Sequence, residues 1–404
     1  MSICPTEYWL WLQCALGAGA KTDELLAYFG DPEKMYNAGS NEWRLSGLMT
    51  DKKINALKSI SPSETGGIFR ECKAKGYSII TPDNVNYPER FRQLSDMPLV
   101  LYTMGDASVL KDTVSIGVVG TRDASNYGIE TAQKLSFSLA SCGVTIVSGG
   151  ALGIDSEAHA GAMLAKGRTA AFLGCGLSYD YLKENASLRR AITKYGAVIS
   201  EYPPFTPASR TTFPIRNRLI SGLTLGTLVI EAGVKSGSLI TANFALEQGK
   251  DVFAVPGDIV RSSFDGANHL IKNGAKPVFS AMDILSEYEY LYGDLIDFSK
   301  ANVSLSQIPY VEYRKKSRET VAREKAPIQK KTVEQEIKKI EKKELDDSYS
   351  LEAKKVYSVL NENPTHIDDI LRQTSLKMSD VLSALTELEL MGDVKQTEGK
   401  KYSI

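Results

Sequence analysis

From about residue 114 to residue 290 the chain alternates short, β-branched apolar runs with longer amphipathic stretches. "SIGVVG", "VTIVSG", "TAAFLG", "AVISEY", "LGTLVIEA" and "DVFAVPG" show little polar alternation, as expected for strands covered on both faces. Stretches between them, such as "YGIETAQKLSFSLASCG" and "SLITANFALEQGK", read as helices closed by glycine. This alternation predicts an α/β core over 112–299 with a doubly wound, mostly parallel sheet. Residues 1–75 read instead as short helices. "EYWLWLQCALGAGAKTDELLAYFG" turns at Gly17 and Gly19, and "WRLSGLMTDKKINALKSI" is a weaker second copy. Such glycine hairpins either hold a DNA phosphate on backbone N–H groups or simply pack, and packing is favoured here.

Residues 76–111 form a Pro-containing connector with two short apolar runs. Residues 300–349 lose the pattern: between Arg314 and Asp347 there are 12 basic and 8 acidic residues, a solvated spacer. Residues 350–404 regain it. "LEAKKVYSVLNEN", "HIDDILRQTS" and "KMSDVLSALTELELMG" predict three helices, followed by two strands around Glu398-Gly399, which is a winged helix. Its third helix carries Lys377, Asp380, Glu387 and Glu389, acidic for a DNA reader, so protein contact or packing competes with duplex reading.

Charge and composition narrow the chemistry. The formal net charge is −1, so any anion site is a local patch. Five scattered cysteines without a C-x-x-C spacing fit a reduced, cytoplasmic protein. Three histidines far apart in sequence predict no metal site, and no cofactor is expected. No basic n-region precedes a cleavable apolar segment, and no apolar run approaches membrane-spanning length, so neither secretion nor membrane insertion is expected.

In an open parallel sheet, ligands sit beyond the carboxyl ends of the strands. The unusual residues cluster there. Gly120, Thr121, Arg122 and Ser125 follow the first core strand, and Ser148, Gly149 and Gly150 the second. The third leads to Gly174, Gly176, Tyr179 and Lys183, and the fourth to Phe213, Arg216, Asn217 and Arg218. Glu231, Ser236, Gly237, Ser238 and Thr241 come after the fifth, and the sixth leads toward Asn268. Glycines at such turns let an anion approach backbone N–H groups, and Arg122 and Lys183 are the cations expected to neutralise phosphate. "TTFPIRNRLISG" brings two guanidiniums and a carboxamide with no acidic neighbour, introduced by Phe213. An aromatic face in a cationic groove is how single strands are held without strong sequence readout. Asp155 and His159, one helical turn apart, predict a buried capping pair. Glu231 is either a general base or a structural acceptor, and the structural role is preferred.

The ordered motifs "DNVNYPERFRQLSDMPLVLYTMGD", "VVGTRDASNYG", "SGGALGIDSEAHAGAM", "EYPPFTPASRTTFPIRNRLISGL", "EAGVKSGSLITANFALEQGKDVFAVPG" and "GANHLIKNGA" span roughly residues 76 to 280. Together they resemble the bacterial DNA-processing protein A family (DprA, also called Smf). The resemblance implies an extended Rossmann-like core that binds single-stranded DNA and forms a homodimer. It also implies loading of RecA recombinase onto incoming strands during natural transformation, with displacement of single-strand binding protein. The N-terminal helices look like the family's sterile-alpha-motif-like or helix-hairpin-helix module, and the C-terminal winged helix like an appendage of many members. By motif, Arg122, Lys183 and Phe213 would be DNA contacts. The family usually has serine where Thr121 stands.

Two other functions compete. Related Rossmann-like phosphoribohydrolases fuse a phosphate loop to a catalytic glutamate in "PGGxGTxxE", whereas "SGGALGID" and "EAGVKSGS" are separate here. No G-x-G-x-x-G fingerprint, Walker sequence or G-x-S-x-G elbow is present. A transcription regulator acting through its winged helix is the remaining alternative.

Overall fold

The computed structural model describes residues 3–301, 303–312, 349–360, 365–374, 376–391, 393–397 and 401–403. The charged spacer between Arg314 and Asp347 and the Glu398-Gly399 turn lie outside the described residues. The chain divides into two compact units, Met1–Lys325 and Ala326–Ile404.

The first unit is built on a nine-stranded sheet. Its strands are β1 (Ser78–Ile80), β2 (Leu101–Gly105), β3 (Ser115–Val119), β4 (Thr145–Ser148), β5 (Thr169–Leu173), β6 (Gly196–Ser200), β7 (Gly226–Val229), β8 (Asp251–Ala254) and β9 (Lys276–Pro277). They lie in the order β1-β2-β6-β5-β4-β3-β7-β8-β9. From β6 to β9 every pairing is parallel, and β1 and β2 add an antiparallel edge. The six apolar runs of the sequence are β3 to β8, and both faces of the sheet are covered, as their uninterrupted burial requires. The two apolar runs of the connector are themselves strands: Tyr102 pairs with Ser200 and Met104 with Val198 on β6. One apolar cluster, with Ile116, Leu135, Ile146 and Ile284, fills one face, and another, with Phe91, Phe172, Ile199 and Leu219, fills the other.

The N-terminal helices close on the antiparallel edge. Trp9, Leu10, Trp11 and Leu12 of helix Pro5–Leu16 share a buried cluster with Leu99, Val100 and Tyr102. The Gln13 amide donates to the Val100 carbonyl at 3.0 Å and to the Glu201 carbonyl at 2.7 Å, and accepts from the Tyr102 hydroxyl at 2.9 Å. Gly19 sits at φ +74°, and a Cβ there would come 2.8 Å from Ile215 Cγ2. Its N–H donates to Glu201 Oε1 at 3.3 Å. The glycine hairpin is thus a packing unit whose tight turn meets the core.

Behind that turn lies a buried ion pair. Arg218 Nη2 donates to Glu201 Oε1 at 2.7 Å, and both side chains are 2% exposed. Asp96 adds its carbonyl at 2.8 Å and a carboxylate oxygen 3.1 Å from Arg218 Nε.

In the second unit, helices Leu351–Val359, Ile367–Thr374 and Met378–Leu390 pack around Val356, Ile370, Val381, Leu385 and Leu388. Strands β10 (Thr365–His366), β11 (Lys395–Thr397) and β12 (Lys401–Ser403) form an antiparallel wing in the order β10-β12-β11. Glu387 of the third helix is half-buried and accepts from Ser350 N at 2.8 Å and Ser350 Oγ at 2.6 Å.

Leaving a buried charge without its partner costs about 3–5 kcal/mol. Glu201→Ala should therefore lower unfolding free energy by about that amount in chemical denaturation. A loss below about 1 kcal/mol would show that Asp96 alone satisfies Arg218.

Candidate nucleic-acid interface

Strand order reverses at β3, which has β4 on one side and β7 on the other, so a crevice opens beyond its carboxyl end. Glu231, at the end of β7, closes the floor of that crevice. Its buried Oε2 accepts from Ser125 N at 3.0 Å and Ser125 Oγ at 2.7 Å, and its carbonyl accepts from Thr121 N at 2.8 Å. Ser125 Oγ in turn caps helix Asn126–Ser141 by accepting from Gly128 N at 3.1 Å. A Cβ at Gly128 would stand 2.1 Å from Glu231 Oε2, so the carboxylate lies against the helix N-terminus, where the macrodipole favours it. The helix end that the sequence offers to phosphate thus holds the protein's own anion, and Ser125 is engaged in the scaffold. Gly120 is equally internal, since a Cβ there would meet Ile154 at 2.5 Å.

The next loop is braced from inside. Arg216, 5% exposed on helix Thr212–Leu223, donates to the Gly149 carbonyl at 2.7 Å and also to the Phe172 carbonyl, tying the ends of β4 and β5 together. Its Nε donates to Asn217 Oδ1 at 3.1 Å, and Asn217 Nδ2 reaches the Gly237 carbonyl at 3.3 Å. Gly149 must lack a side chain, because a Cβ would fall 2.6 Å from Asp155 Oδ2 and 2.8 Å from Arg216 Nη2. Burial lowers the Arg216 pKa and raises that of Asp155, while their mutual attraction opposes both shifts. Ser148 Oγ donates to the Val118 carbonyl at 2.6 Å, and Ser238 and Thr241 are buried. Gly150 takes φ +64°, and Gly237 faces open space.

Two expectations change. His159 does not pair with Asp155: its Nδ1 lies 2.7 Å from Thr169 Oγ1, whose own proton goes to the Ile146 carbonyl, so Nδ1 is the donor. Burial pushes its pKa down to about 3, which keeps the ring neutral. Arg218, read beside Arg216 and Asn217 as a strand contact with no acidic partner, is buried against Glu201 and Asp96. Those acids lie 17 and 122 residues away along the chain, outside any local window.

An exposed slot remains. The Arg122 guanidinium lies over the half-buried Phe213 ring, 5.0 Å from its centroid. Tyr181 packs on the same ring at 5.3 Å, tilted by 44°. Gly174 lets the ring approach, since a Cβ there would be 2.7 Å from Phe213 Cδ1. Thr212 Oγ1 donates to the Gly174 carbonyl at 2.5 Å and holds the loop to the helix. Among the described residues Arg122 has no ion-pair partner. Lys183, on the same loop as Tyr181, is 80% exposed and pairs with Asp180 at 3.2 Å. Thr121 is half-buried at the rim. Tyr181 escapes sequence reasoning, although "SYDYLK" interleaves aromatic and charged residues in a way that could have marked it.

Residues 78–289 match the family model for DNA recombination-mediator protein A, and residues 341–400 match the DprA winged helix domain. Protein Smf of Synechocystis sp. is 33% identical over 361 residues, 88% of this chain and 86% of that protein. DNA processing protein DprA of Bacillus subtilis is 41% identical over 215 residues, 53% of this chain and 72% of that protein. The X-ray structure of DprA from Streptococcus pneumoniae superposes with a TM-score of 0.61 at 32% identity, covering 71% of this chain and 99% of that one. The chain therefore belongs to the DprA/Smf family of DNA-processing recombination mediators.

Proposed function

We propose that this chain binds single-stranded DNA at the strand-end slot and loads RecA recombinase onto it during recombination of incoming DNA in natural transformation. The single observation that carries the reading is Arg122, an exposed cation with no contact ion pair among the described residues, held on an aromatic ring at the switch point of the sheet. Free charge beside aromatic surface suits a flexible polyanion of phosphates and bases. Lys183 extends the charge outward. Its exposed pair with Asp180 costs little to break. Glu231 supports binding over turnover, because its carboxylate is buried and engaged by Ser125 and so is poorly placed as a general base. A phosphoribohydrolase needs that group free beside a phosphate loop.

The protein works as a homodimer in the cytoplasm and competes with single-strand binding protein for the strand. With a net charge of −1, each subunit attracts DNA only through a short local groove. Two grooves on one assembly raise affinity by effective concentration once a strand spans both.

Replacing Arg122 or Lys183 by alanine should weaken single-strand binding for every sequence and reduce the log–log salt slope by about 0.7 per lost contact. Fluorescence anisotropy of labelled oligonucleotides at several salt concentrations measures both; a double variant with native affinity and slope would remove the slot from the site. Light scattering of the full chain should give twice the monomer mass, and affinity should step upward at one oligonucleotide length. The full chain is required, because cutting before residue 76 would strip Trp9 to Leu12 from Val100 and Tyr102. A monomer with no length step would show that pairing of subunits plays no part in capture.

A further inference from the structure

We propose that a single strand leaving the slot continues across Tyr179 and Phe205 onto helix Gly66–Lys75, where Arg70, Lys73 and Lys75 meet its phosphates. The inference rests on reading the chain as a single-strand binder, and it assigns a second stretch of the strand's path, outside the slot. Tyr179 is 40% exposed and Phe205 64% exposed, and each belongs to a tight turn. Thr206 N donates to the Pro203 carbonyl at 2.9 Å, closing the turn that carries Phe205, and Tyr179 N donates to the Gly176 carbonyl at 3.0 Å. The two turns are joined, because Ser178 N donates to the Pro204 carbonyl at 2.7 Å and Gly176 N to the Thr206 carbonyl at 2.8 Å. Gly176 permits this approach, since a Cβ there would run into the Pro203 and Pro204 carbonyls. Both rings therefore stand on one stiff frame. A ring left in water does nothing for the fold, and a ring already held in place loses little freedom when a base stacks on it.

This frame connects the slot to the N-terminal helices. Tyr181, packed on the Phe213 ring, is two residues from Tyr179. On the other side Ser178 Oγ donates to Glu71 Oε1 at 3.3 Å, and the Tyr77 hydroxyl donates to the Leu177 carbonyl at 3.4 Å. These bonds set the loop against helix Gly66–Lys75. The helix buries Cys72, and Ile68 packs beside it, so Arg70 and Lys73, three positions apart, share the outer side. Arg70, Lys73 and Lys75 are exposed and form no contact ion pair among the described residues. The one acid of the helix, Glu71, is half-buried and engaged by Ser178. Aromatic surface with cations on both sides matches the alternation of bases and phosphates in a single strand. An apolar peptide would leave those cations without a counter-charge.

The test measures the affinity of the full-length chain for oligothymidylates of graded length. Tyr179→Ser and Phe205→Ser should each bind long oligomers roughly 5- to 100-fold more weakly, the range set by one stacked base. Phe205→Trp should keep the native affinity. On the shortest oligomer that the native chain binds, which fills the slot alone, the serine variants should match the native chain. Equal losses at every length would show that these turns only support the slot, and no loss at any length would show that the rings play no part. Either result overturns the proposal.

Charge supplies the second arm. Arg70→Ala/Lys73→Ala/Lys75→Ala should reduce the log–log salt slope on long oligomers by up to about 2, three contacts at about 0.7 each, and leave it unchanged on the shortest. A native slope on long oligomers would overturn the path onto the helix. A native chain that binds no oligothymidylate would overturn the single-strand function itself, whereas native binding without these length-selective losses overturns only the second stretch.

Discussion

The buried pair of Arg218 and Glu201 is the contact on which the rest of the first unit depends. It joins four segments distant in sequence: helix Thr212–Leu223, the end of β6, the connector through Asp96, and the N-terminal hairpin through Gly19. Two charges at 2% exposure persist only when each satisfies the other, so these segments hold one relative placement. The consequence reaches the exposed slot at Arg122 and Phe213. Phe213, Arg216 and Arg218 share one helix, and fixing Arg218 on one side of it orients Phe213 and Arg216 on the other.

A second constraint follows at the carboxyl edge of the sheet. Such edges gather glycine turns and helix N-termini, and each is a possible anion site. In this chain most are filled from within. Glu231 occupies the N-terminus of helix Asn126–Ser141, Arg216 takes the Gly149 and Phe172 carbonyls, and Ser148 is bonded to Val118. The edge is rigid because these polar groups are paired, and that rigidity holds Arg122 over the Phe213 ring. A phosphate-recognition site open at every loop would be far looser.

The winged-helix unit follows a different economy. Its third helix has Val381, Leu385 and Leu388 facing the core and Glu387 anchored to Ser350, so one of its acidic residues serves the fold. Asp380 and Glu389 still leave that helix without the positive surface that duplex DNA attracts.

The order of strands and helices, the parallel core and the loops where ligand chemistry gathers were legible in the chain alone. β-Branched runs and glycine closures are local signals, and parallel crossovers allow few arrangements. The strands at Ser78–Ile80 and Leu101–Gly105 were visible only as apolar runs, because their role depends on β6 arriving alongside. Which polar residues stay available was decided by tertiary structure. Arg216 and Arg218 look alike in "PIRNR", yet one braces two strand ends and the other is neutralised by Glu201. His159 looked paired with Asp155 and instead faces Thr169. In each case the partner comes from a distant segment, and sequence spacing carries no information about groups that meet only when the sheet closes.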